Sequence, residues 1–487
     1  MNEPQDLGRV FLNHLGADPM AVFAESGPRT ATRADVAARA ATHARRIGAS
    51  GVGQGDLVAL ACLDSLHAME ATIGLWSLGA APVYFDIRQP PAEIAAAAQR
   101  VGARVVLTDM PRLAGRDGIA ALDEPSGTPA QVLPSSPENA ADLPAIWVSS
   151  SGTTKTPVHQ ARTHRWMIAA MRDAEVKLRS HPLPPALVVG SLAFGAVANT
   201  WLRAVMGGTP VLAMPLFHHV AELDAALMRP DIRFAALPPV VLRDLLSLHR
   251  DRDVAALGPA YPQLESLVSL GGPIAPEDLR RMRDLLSPTA RNVYSLTGVG
   301  PVAYLEGEAI DTRSGSVGKI LDGVAVTVTD DEGNTLPPGQ SGHITACNTS
   351  MGGPAVATGD VGRLDPDGFL TIIGRSAQLA CRNSVTVNLS VLQDRVLAHD
   401  GIRDCMAFAV PDPADGGDRI ALAVETALSR RDVVLWLRSA IPALQRPDLV
   451  WVSAELPRTP SGKIALRELQ ALMARGVQEG TCVFVAV

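Results

Sequence analysis

The sequence is poor in several residue types. Lysine occurs at only four positions although lysine and arginine together number 43, so arginine carries nearly all of the positive charge. Five cysteines, an odd number without a C-x-x-C pair, predict neither a disulfide framework nor a zinc site, and we expect them to be small buried residues. Long apolar runs and the charged and apolar regions of a signal peptide are missing, which predicts a cytoplasmic protein without a membrane partner.

Basic runs are missing too. A formal net charge of −7 without such a run argues against nucleic acid or an anionic membrane as a partner. The adjacent residues His218 and His219 cannot share one helix face and have no acidic residue at ligand spacing, so no metal site is predicted. At 487 residues the chain is too long for one core and is expected to form two or more domains.

A hydroxyl-rich turn follows the apolar run 145–148. A strand that stops at such a turn exposes backbone N–H groups and side-chain hydroxyls, which can together surround the oxygens of a phosphate chain. A nucleoside triphosphate is the ligand that this pattern favours, although a polar surface loop explains the turn alone equally well. The candidate nucleotide-binding residues are Ser150, Ser151, Gly152, Thr153, Thr154 and Lys155.

A second turn, rich in proline and glycine, lies near the C-terminus. Its sequence from Leu456 to Ile464 presents Lys463, one of the four lysines of the chain. A solvated lysine on a turn would be the ordinary explanation for one such residue. Three further segments occur between the two turns: Ser269-Leu270-Gly271-Gly272-Pro273, Asn292-Val293-Tyr294-Ser295-Leu296-Thr297, and Gly359-Asp360-Val361-Gly362-Arg363 followed by Gly374-Arg375.

Together the five segments resemble the adenylate-forming superfamily, which includes acyl-CoA synthetases, aryl-CoA ligases, luciferases and adenylation domains. Five matches in the right order over about three hundred residues are hard to produce by accident. The resemblance runs from about residue 30 to about residue 469. It implies activation of a carboxylate by ATP, or use of an acyl-AMP, followed by attack of the thiol of coenzyme A.

The expected fold is α/β. Short apolar strands that alternate with helical patterns in the first hundred residues predict layered, largely parallel sheets. The resemblance adds a large N-terminal domain of several subdomains, residues 1–376, with a small β-barrel between about residues 315 and 370. It also implies a small mobile α+β lid, residues 377–487, with the hinge at Ala377.

The resemblance also implies a role for each candidate residue. The catalytic Lys463 would bridge the carboxylate and the α-phosphate, and Thr297 would hydrogen-bond the α-phosphate. Asp360 would accept hydrogen bonds from the ribose with help from Arg375. Tyr294 is either an adenine-stacking residue or a half-buried core aromatic. The glycines of the purine or acyl turn are Gly271 and Gly272, and the predicted acyl pocket contains Phe194, Gly195 and Gly271.

Several positions depart from the family pattern. Lys155 stands where a glycine is usual, Val158 where a lysine is usual, and Gly298 replaces the glutamate that helps to hold magnesium. Handling of Mg²⁺ by this chain is therefore in doubt. These departures favour a poor or lost adenylation step, with preformed acyl-adenylate supplied by a partner ligase.

The leading interpretation is an acyl-CoA ligase. Its alternatives are an acyl-AMP ligase that loads a carrier protein and a catalytically dead nucleotide-binding subunit. Relatives that activate amino acids have an aspartate where this chain has Gly195, so we expect a carboxylic acid without an α-amine, and a bulky one because the missing side chain leaves volume. The identity of the acid and the oligomeric state, a homodimer included, stay open.

Overall fold

The computed structural model describes residues 6–122, 132–149, 159–178, 185–382, 385–411, 418–458, 464–478 and 483–484. The helices are α1 Leu7–Ala17, α2 Arg33–Ala49, α3 Ser65–Ser77, α4 Pro91–Arg100, α5 His164–Leu178, α6 Gly195–Gly207, α7 Val220–Leu227, α8 Pro239–Leu248, α9 Val254–Leu257, α10 Pro276–Arg281, α11 Ala309–Thr312, α12 Leu389–Leu397, α13 Arg430–Ala440 and α14 Leu466–Gln478.

The strands follow the same order of the chain. They are β1 Val22–Ser26, β2 Arg29–Thr32, β3 Leu57–Leu60, β4 Ala81–Tyr84, β5 Val105–Thr108, β6 Ile119–Ala121, β7 Pro144–Ser149, β8 His159–Thr163, β9 Ala186–Val188, β10 Val211–Ala213, β11 Phe234–Leu237, β12 Ser266–Leu270, β13 Ala290–Leu296, β14 Gly300–Glu306, β15 Gly318–Ile320, β16 Val324–Thr329, β17 Gly342–Asn348, β18 Val356–Leu364, β19 Phe369–Arg375, β20 Leu379–Arg382, β21 Val385–Asn388, β22 Ile402–Pro411, β23 Asp418–Thr426, β24 Leu449–Ser453 and β25 Val483–Phe484.

The chain divides into two compact units. The first contains Met1–Val326, Thr345–Val356 and Asp365–Thr371, and the second contains Thr327–Ile344, Ala357–Leu364 and Ile372–Val487. Strands β16 to β19 each contribute residues to both units. The predicted domain boundary between residues 376 and 377 lies close to the last change of unit, and its position stays a prediction.

Two sheets form the framework of the first unit. One has the order β6-β5-β3-β4-β7-β8, and β8 runs antiparallel to β7 at its edge. The other contains the order β2-β1-β10-β9-β11-β12-β13-β14-β15. Its strands from β1 to β13 are parallel, whereas β2, β14 and β15 are antiparallel to their neighbours. Parallel sheets are covered on both faces, which explains why β3 and β4 are apolar and buried along their whole length.

The core between these sheets contains two tryptophans. The rings of Trp76 on α3 and Trp201 on α6 stack with their centroids 5.7 Å apart, and both residues are fully buried. The indole N–H of Trp76 donates a hydrogen bond of 2.8 Å to the carbonyl oxygen of Ala145 on β7. Because this bond satisfies a polar group inside the core, Trp76 can join a helix to the strand that leads into the hydroxyl-rich turn.

In the second unit, helices cover both faces of the sheet β22-β23-β24-β25. Alternate residues of β23 point to opposite faces, as the pleat of a strand requires. Ile420, Leu422 and Val424 pack with residues of α12 and α13, whereas Ala421 and Ala423 pack with residues of α14. The sheet is therefore buried on both sides.

The predicted α/β class, with a large N-terminal part containing layered sheets and a small C-terminal part, is confirmed. The expectation for the cysteines is only partly right. Cys405 is buried, but Cys62 and Cys347 are partly exposed. Both are free thiols, and Cys62 packs at the edge of the core that contains Trp76 and Trp201, where a small side chain is only partly covered.

Candidate functional site

One edge of the large sheet collects several predicted residues. The carboxyl ends of parallel strands are the usual ligand-binding edge of an α/β sheet. Here β9 leads towards Phe194 and Gly195, β12 ends just before Gly271, and β13 ends just before Thr297. Because β9, β11, β12 and β13 are parallel neighbours, these residues follow the same edge.

Thr297 lies in a tight turn between β13 and β14. Leu296 pairs with Gly300, and the N–H of Val299 donates to the carbonyl oxygen of Leu296 at 3.2 Å. Gly298, at the middle of the turn, has a φ of +93°, which residues with a side chain rarely adopt. The side chain of Thr297 is exposed, so its hydroxyl is available to a ligand at this edge.

Tyr294 lies three residues before Thr297 on β13. It is half-buried and packs against a cluster that contains Val299, Val302 and Ala346. This packing agrees with the core interpretation of the tyrosine. Stacking on adenine stays a prediction.

The glycine turn after β12 is exposed. Gly271 has a φ of +88°, and no atom lies within 4 Å of the place where its Cβ would stand. A Cβ on Gly272 would be 3.5 Å from Cδ of Pro239. The backbone of Gly271 is therefore open to close approach by a planar or bulky group.

The predicted acyl-pocket residues stand at the start of α6. Phe194 is the N-cap residue of this helix and is 52% exposed, and the guanidinium of Arg88 lies 5.9 Å from the centroid of its ring. Gly195 has no atom within 4 Å of a Cβ position. A small cleft nearby is lined by residues that follow β3, β4 and β9, among them Cys62, Phe85 and Ala193.

In the second unit the structure brings Asp360 and Arg375 together. Nε of Arg375 lies 2.7 Å from Oδ1 of Asp360, whose side chain is 4% exposed. A second guanidinium nitrogen of Arg375 donates to the carbonyl oxygen of Thr358 at 2.9 Å. Gly359, inside β18, has a φ of +74°, a backbone conformation that suits glycine. A buried carboxylate of this kind requires pairing, and the exposed face of Arg375 leaves the pair accessible at its rim.

The other predicted nucleotide-binding residues, Ser150 to Lys155, and the predicted catalytic residue Lys463 lie outside the described residues. The two ends of the lysine-bearing segment are described. Arg458 and Ile464 form an antiparallel bridge, and the N–H of Ala465 donates to the carbonyl oxygen of Pro457 at 2.8 Å. Arg458 and Ile464, the described residues that flank the segment, are therefore neighbours in the second unit. The predicted hinge residue Ala377 lies in a short 3₁₀ helix, Ser376–Gln378.

The buried Glu425 and the partly exposed Asp404 hold the N-terminal stem of this segment. Oε2 of Glu425 accepts the N–H of Leu456 at 3.0 Å and lies 2.9 Å from Nη2 of Arg458. Asp404 contacts the same guanidinium nitrogen at 2.8 Å. The N–H of Leu456 and the charge of Arg458 hold the pKa of Glu425 below its usual range. The stem is thus fixed by an ion pair and by backbone hydrogen bonds.

The sequence analysis overlooked Glu425 and Arg162. Glu425 directly follows the apolar run 420–424 of a strand, and a charged residue at that place is a sequence signal for a buried pair. Arg162 is on β8, five residues after the hydroxyl-rich stretch 149–157 of the sequence. Its signal was weaker, because an arginine on an edge strand is usually a solvated residue.

The surroundings of Gly298 do not fit a magnesium site. Mg²⁺ prefers oxygen ligands, above all carboxylates, and Gly298 offers no side chain. A Cβ at this position would lie 3.0 Å from Nη2 of Arg162, which is a cation. Among the described residues, no group of three or more His, Cys, Asp or Glu side chains is arranged to hold a metal ion. In the same part of the chain, no helix combines the length and the apolar character needed to cross a membrane.

Solved structures of similar fold include ligand complexes. The o-succinylbenzoate CoA synthetase MenE from Bacillus subtilis, in complex with the acyl-adenylate intermediate OSB-AMP, has a TM-score of 0.76 at 17% identity over 95% of this chain and 97% of that one. ATP-bound MatB from Rhodopseudomonas palustris has a TM-score of 0.73 at 18% identity over 96% of this chain and 98% of that one. At this identity the likeness shows the fold.

Family models and sequence relatives give the assignment. The model of the AMP-binding enzyme matches residues 13–359, and that of the AMP-binding enzyme C-terminal domain matches residues 392–463. A 2-succinylbenzoate–CoA ligase of Geobacillus kaustophilus is 26% identical over 96% of this chain and 98% of that protein. A sulfoacetate–CoA ligase of Cupriavidus necator is 25% identical over 88% of this chain and 90% of that protein. The chain therefore belongs to the AMP-binding enzyme family and, with these relatives, to the acyl-CoA synthetases of the adenylate-forming superfamily.

Proposed function

We propose that this protein forms an acyl-CoA thioester from a carboxylic acid without an α-amine, through an acyl-adenylate. The observation that carries the proposal is the buried pair of Asp360 and Arg375. It stands in the segment where the resemblance puts the ribose. The carboxylate of Asp360 accepts hydrogen bonds from the ribose hydroxyls, and Arg375 holds it in a fixed orientation.

The remaining residues act on the reacting groups. A carboxylate is a poor electrophile, and the mixed anhydride with AMP gives it a good leaving group. Lys463 carries the positive charge that stabilises the negative charge accumulating between the carboxylate and the α-phosphate. Thr297 donates to the α-phosphate from the exposed turn after β13. The thiolate of coenzyme A then attacks the acyl carbon, the bond to the phosphate breaks and AMP leaves.

The pocket for the acid is open at Gly195. No atom lies within 4 Å of its Cβ position, and the ring of Phe194 beside it is half exposed. A buried ammonium without a carboxylate partner would cost several kcal/mol, so free amino acids are disfavoured. The open volume suits a bulky or cyclic acyl group. Turnover of a free amino acid in preference to its deaminated analogue would contradict this part of the proposal.

Adenylation is the weaker half-reaction in this proposal. It expels pyrophosphate and needs cations around the β- and γ-phosphates, whereas thioester formation starts from an adenylate that has already lost them. The unusual residues Lys155, Val158 and Gly298 all concern the first step. A partner ligase then supplies acyl-adenylate to this protein, as in a pathway that divides the two steps, such as natural-product biosynthesis.

A rate comparison tests the proposal. Initial rates of CoA thioester formation are measured over a panel of carboxylic acids, once from acid with ATP and Mg²⁺ and once from the synthetic acyl-adenylate. We expect the adenylate to react at least about a hundredfold faster, because one lost preorganised group costs about that much. Equal rates would refute the weak adenylation step.

The acceptor is tested in the same assay. Replacing CoA by an acyl-carrier protein distinguishes the proposed ligase from an enzyme that loads a carrier protein. If neither acceptor gave a thioester from any synthetic adenylate, the protein would be a nucleotide-binding subunit and the proposed activity would be wrong.

A further inference from the structure

Arg162 is a half-buried cation on β8 whose guanidinium reaches the turn after β13. Its guanidinium stacks on the ring of Trp166, with Cζ 4.4 Å from the centroid, and Nη2 donates to Oε1 of Gln160 at 2.7 Å. Within the described residues no carboxylate pairs with it, and burial lowers the pKa of Arg162. Because arginine stays protonated in proteins, the stacked guanidinium presents a positive charge in a fixed orientation, and no carboxylate among the described residues compensates that charge.

The position of the Arg162 guanidinium indicates which ligand groups can reach it. Nη2 lies 3.0 Å from the place where a Cβ of Gly298 would stand, so a glycine is what leaves room for it in the turn after β13. Thr297, in the same turn, is the residue proposed for the α-phosphate. Trp166 and Gln160 hold the guanidinium on the other side. An anion that contacts this turn therefore meets the guanidinium as well.

We propose that Arg162 binds the β- and γ-phosphates of a nucleoside triphosphate, or free pyrophosphate, as a fixed cation that needs no divalent metal. The inference rests on the proposed function for the nucleotide. The planar guanidinium offers two parallel N–H groups, which match phosphate oxygens. The α-phosphate is assigned to Lys463 and Thr297, so the charge left without a partner is that of the two outer phosphates.

The same geometry disfavours a metal ion at this place. A divalent cation beside Gly298 would lie close to the guanidinium, and like charges repel strongly in a partly buried site. A glutamate at position 298 would be needed to reverse this balance, and the left-handed backbone of Gly298 opposes any side chain there. The guanidinium is thus the permanent positive charge of the site.

Nucleotide titrations of the full chain test the inference. Affinities for ATP, AMP and inorganic pyrophosphate are measured by calorimetry in EDTA and again in Mg²⁺, for wild type, Arg162→Gln, Arg162→Lys and Arg165→Gln. Arg165 is the matched control, because it is an exposed arginine on the next element and is paired with Asp142. Thermal unfolding of each variant shows that it is folded.

We expect wild type to bind ATP and pyrophosphate in EDTA within a few-fold of the affinity in Mg²⁺. In Arg162→Gln the affinity for both should fall about ten- to a hundredfold, as for the loss of a hydrogen bond to a charged group, while AMP binding changes little. Arg162→Lys should recover part of the loss because it restores the charge without the planar fork. Arg165→Gln should behave as wild type.

Two results would overturn this inference and leave the proposed function intact. One is unchanged ATP affinity in both Arg162 variants while AMP binds normally. The other is that the wild-type protein binds ATP in Mg²⁺ but not in EDTA. If wild type bound neither AMP nor ATP under any condition, the proposed function would fall, and the inference would fall with it.

Discussion

Nη2 of Arg458 lies 2.9 Å from Oε2 of the buried Glu425, at the point where the chain enters the segment that carries Lys463. The same carboxylate oxygen accepts the N–H of Leu456. One acidic side chain therefore fixes both the backbone and the side chain on the N-terminal side of that segment. We predict that Glu425 acts on Lys463 by positioning the segment that carries it.

Glu425→Gln should slow adenylation about tenfold, because the amide keeps an acceptor for Leu456 but loses the charge that holds Arg458. The measurement is the rate of pyrophosphate release in wild type and in a Lys463→Ala background. Coupled residues are not additive, so the substitution should change the Lys463→Ala rate by less than about twofold. The control Glu455→Gln, at an exposed glutamate of the same segment, should keep the wild-type rate. A tenfold loss in both backgrounds would show that Glu425 does not act through Lys463.

Asp360→Asn should weaken binding of AMP about ten- to a hundredfold, since a charge-assisted acceptor for the ribose and its bond to Arg375 are both lost. Calorimetric titration with AMP measures the change. Asp331→Asn is the control, because Asp331 is 89% exposed and pairs with His343 in the same unit. If Asp360→Asn bound AMP with the wild-type affinity, the assignment of the ribose to Asp360 would be wrong.

Gly298→Ala should destabilise the protein by about 1–2 kcal/mol, because a φ of +93° places a Cβ against the backbone. The new methyl group would also stand 3.0 Å from Nη2 of Arg162. Urea unfolding gives the change in the free energy of unfolding. The control is Gly16→Ala in α1, where no atom lies within 4 Å of a Cβ, and it should stabilise the chain by about 0.5–1 kcal/mol. Equal stability of Gly298→Ala and wild type would mean that the turn has another backbone conformation.

The buried His164 should make stability fall in acid. Burial lowers its pKa to about 3, and its Nδ1 accepts the N–H of Leu7 at 3.1 Å, which requires the neutral ring. The unfolded chain protonates histidine near pH 6.5, so it binds more protons than the folded state below that pH. The stability contributed by the neutral ring is complete above pH 6.5 and is lost progressively between pH 6.5 and pH 3.

His164→Gln should remove this contribution to the pH dependence. Between pH 7.5 and pH 5.0 the loss of stability should be smaller than that of wild type by about 2 kcal/mol, at about 1.4 kcal/mol for each pH unit below 6.5. Urea unfolding at the two pH values provides the comparison. His343→Gln is the control, because 46% of that side chain is exposed, and it should keep the wild-type dependence. An unchanged dependence in His164→Gln would show that His164 is not the group that titrates.

Ala377→Pro should uncouple the two half-reactions. The proposal needs Lys463 at the α-phosphate in one step and an open path for the pantetheine arm in the next, so residues from 377 onwards rotate between them. Proline fixes φ near −65° and removes an N–H in the short helix Ser376–Gln378. Separate measurement of adenylation and of thioester formation tests this, with Ala377→Gly as control. Wild-type values of both rates in the proline variant would place the hinge elsewhere.

Much of the framework could be predicted from the sequence, because parallel strands buried on both faces are apolar along their length. The short apolar strands expected among the first hundred residues are present as β3 and β4, at Leu57–Leu60 and Ala81–Tyr84. The sequence predicted that Asp360 and Arg375 serve one ribose site, and the structure brings the two side chains together, whereas their role at the ribose stays a prediction. The contact of Arg162 with the turn at Gly298 was not predicted. It joins residues more than a hundred positions apart and depends on strand order and rotamers. The burial of individual side chains was equally hard to predict, since Cys62 and Cys347 were expected to be buried and are partly exposed.

The path of the chain through its two units limits where genes of this family can recombine and still encode a folded protein. The polypeptide changes unit after residues 326, 344, 356, 364 and 371. A single genetic crossover exchanges one continuous stretch, so an exchange after residue 371 would separate residues 372–487 from 327–344 and 357–364, with which they form one compact unit. Strand β19, Phe369–Arg375, would then contain residues from both parents, whereas β16 to β18 would come from the parent that does not supply residues 372–487. Recombinants within this family are therefore expected to retain activity when the crossover falls before residue 324 or when both parents share the residues of these four strands.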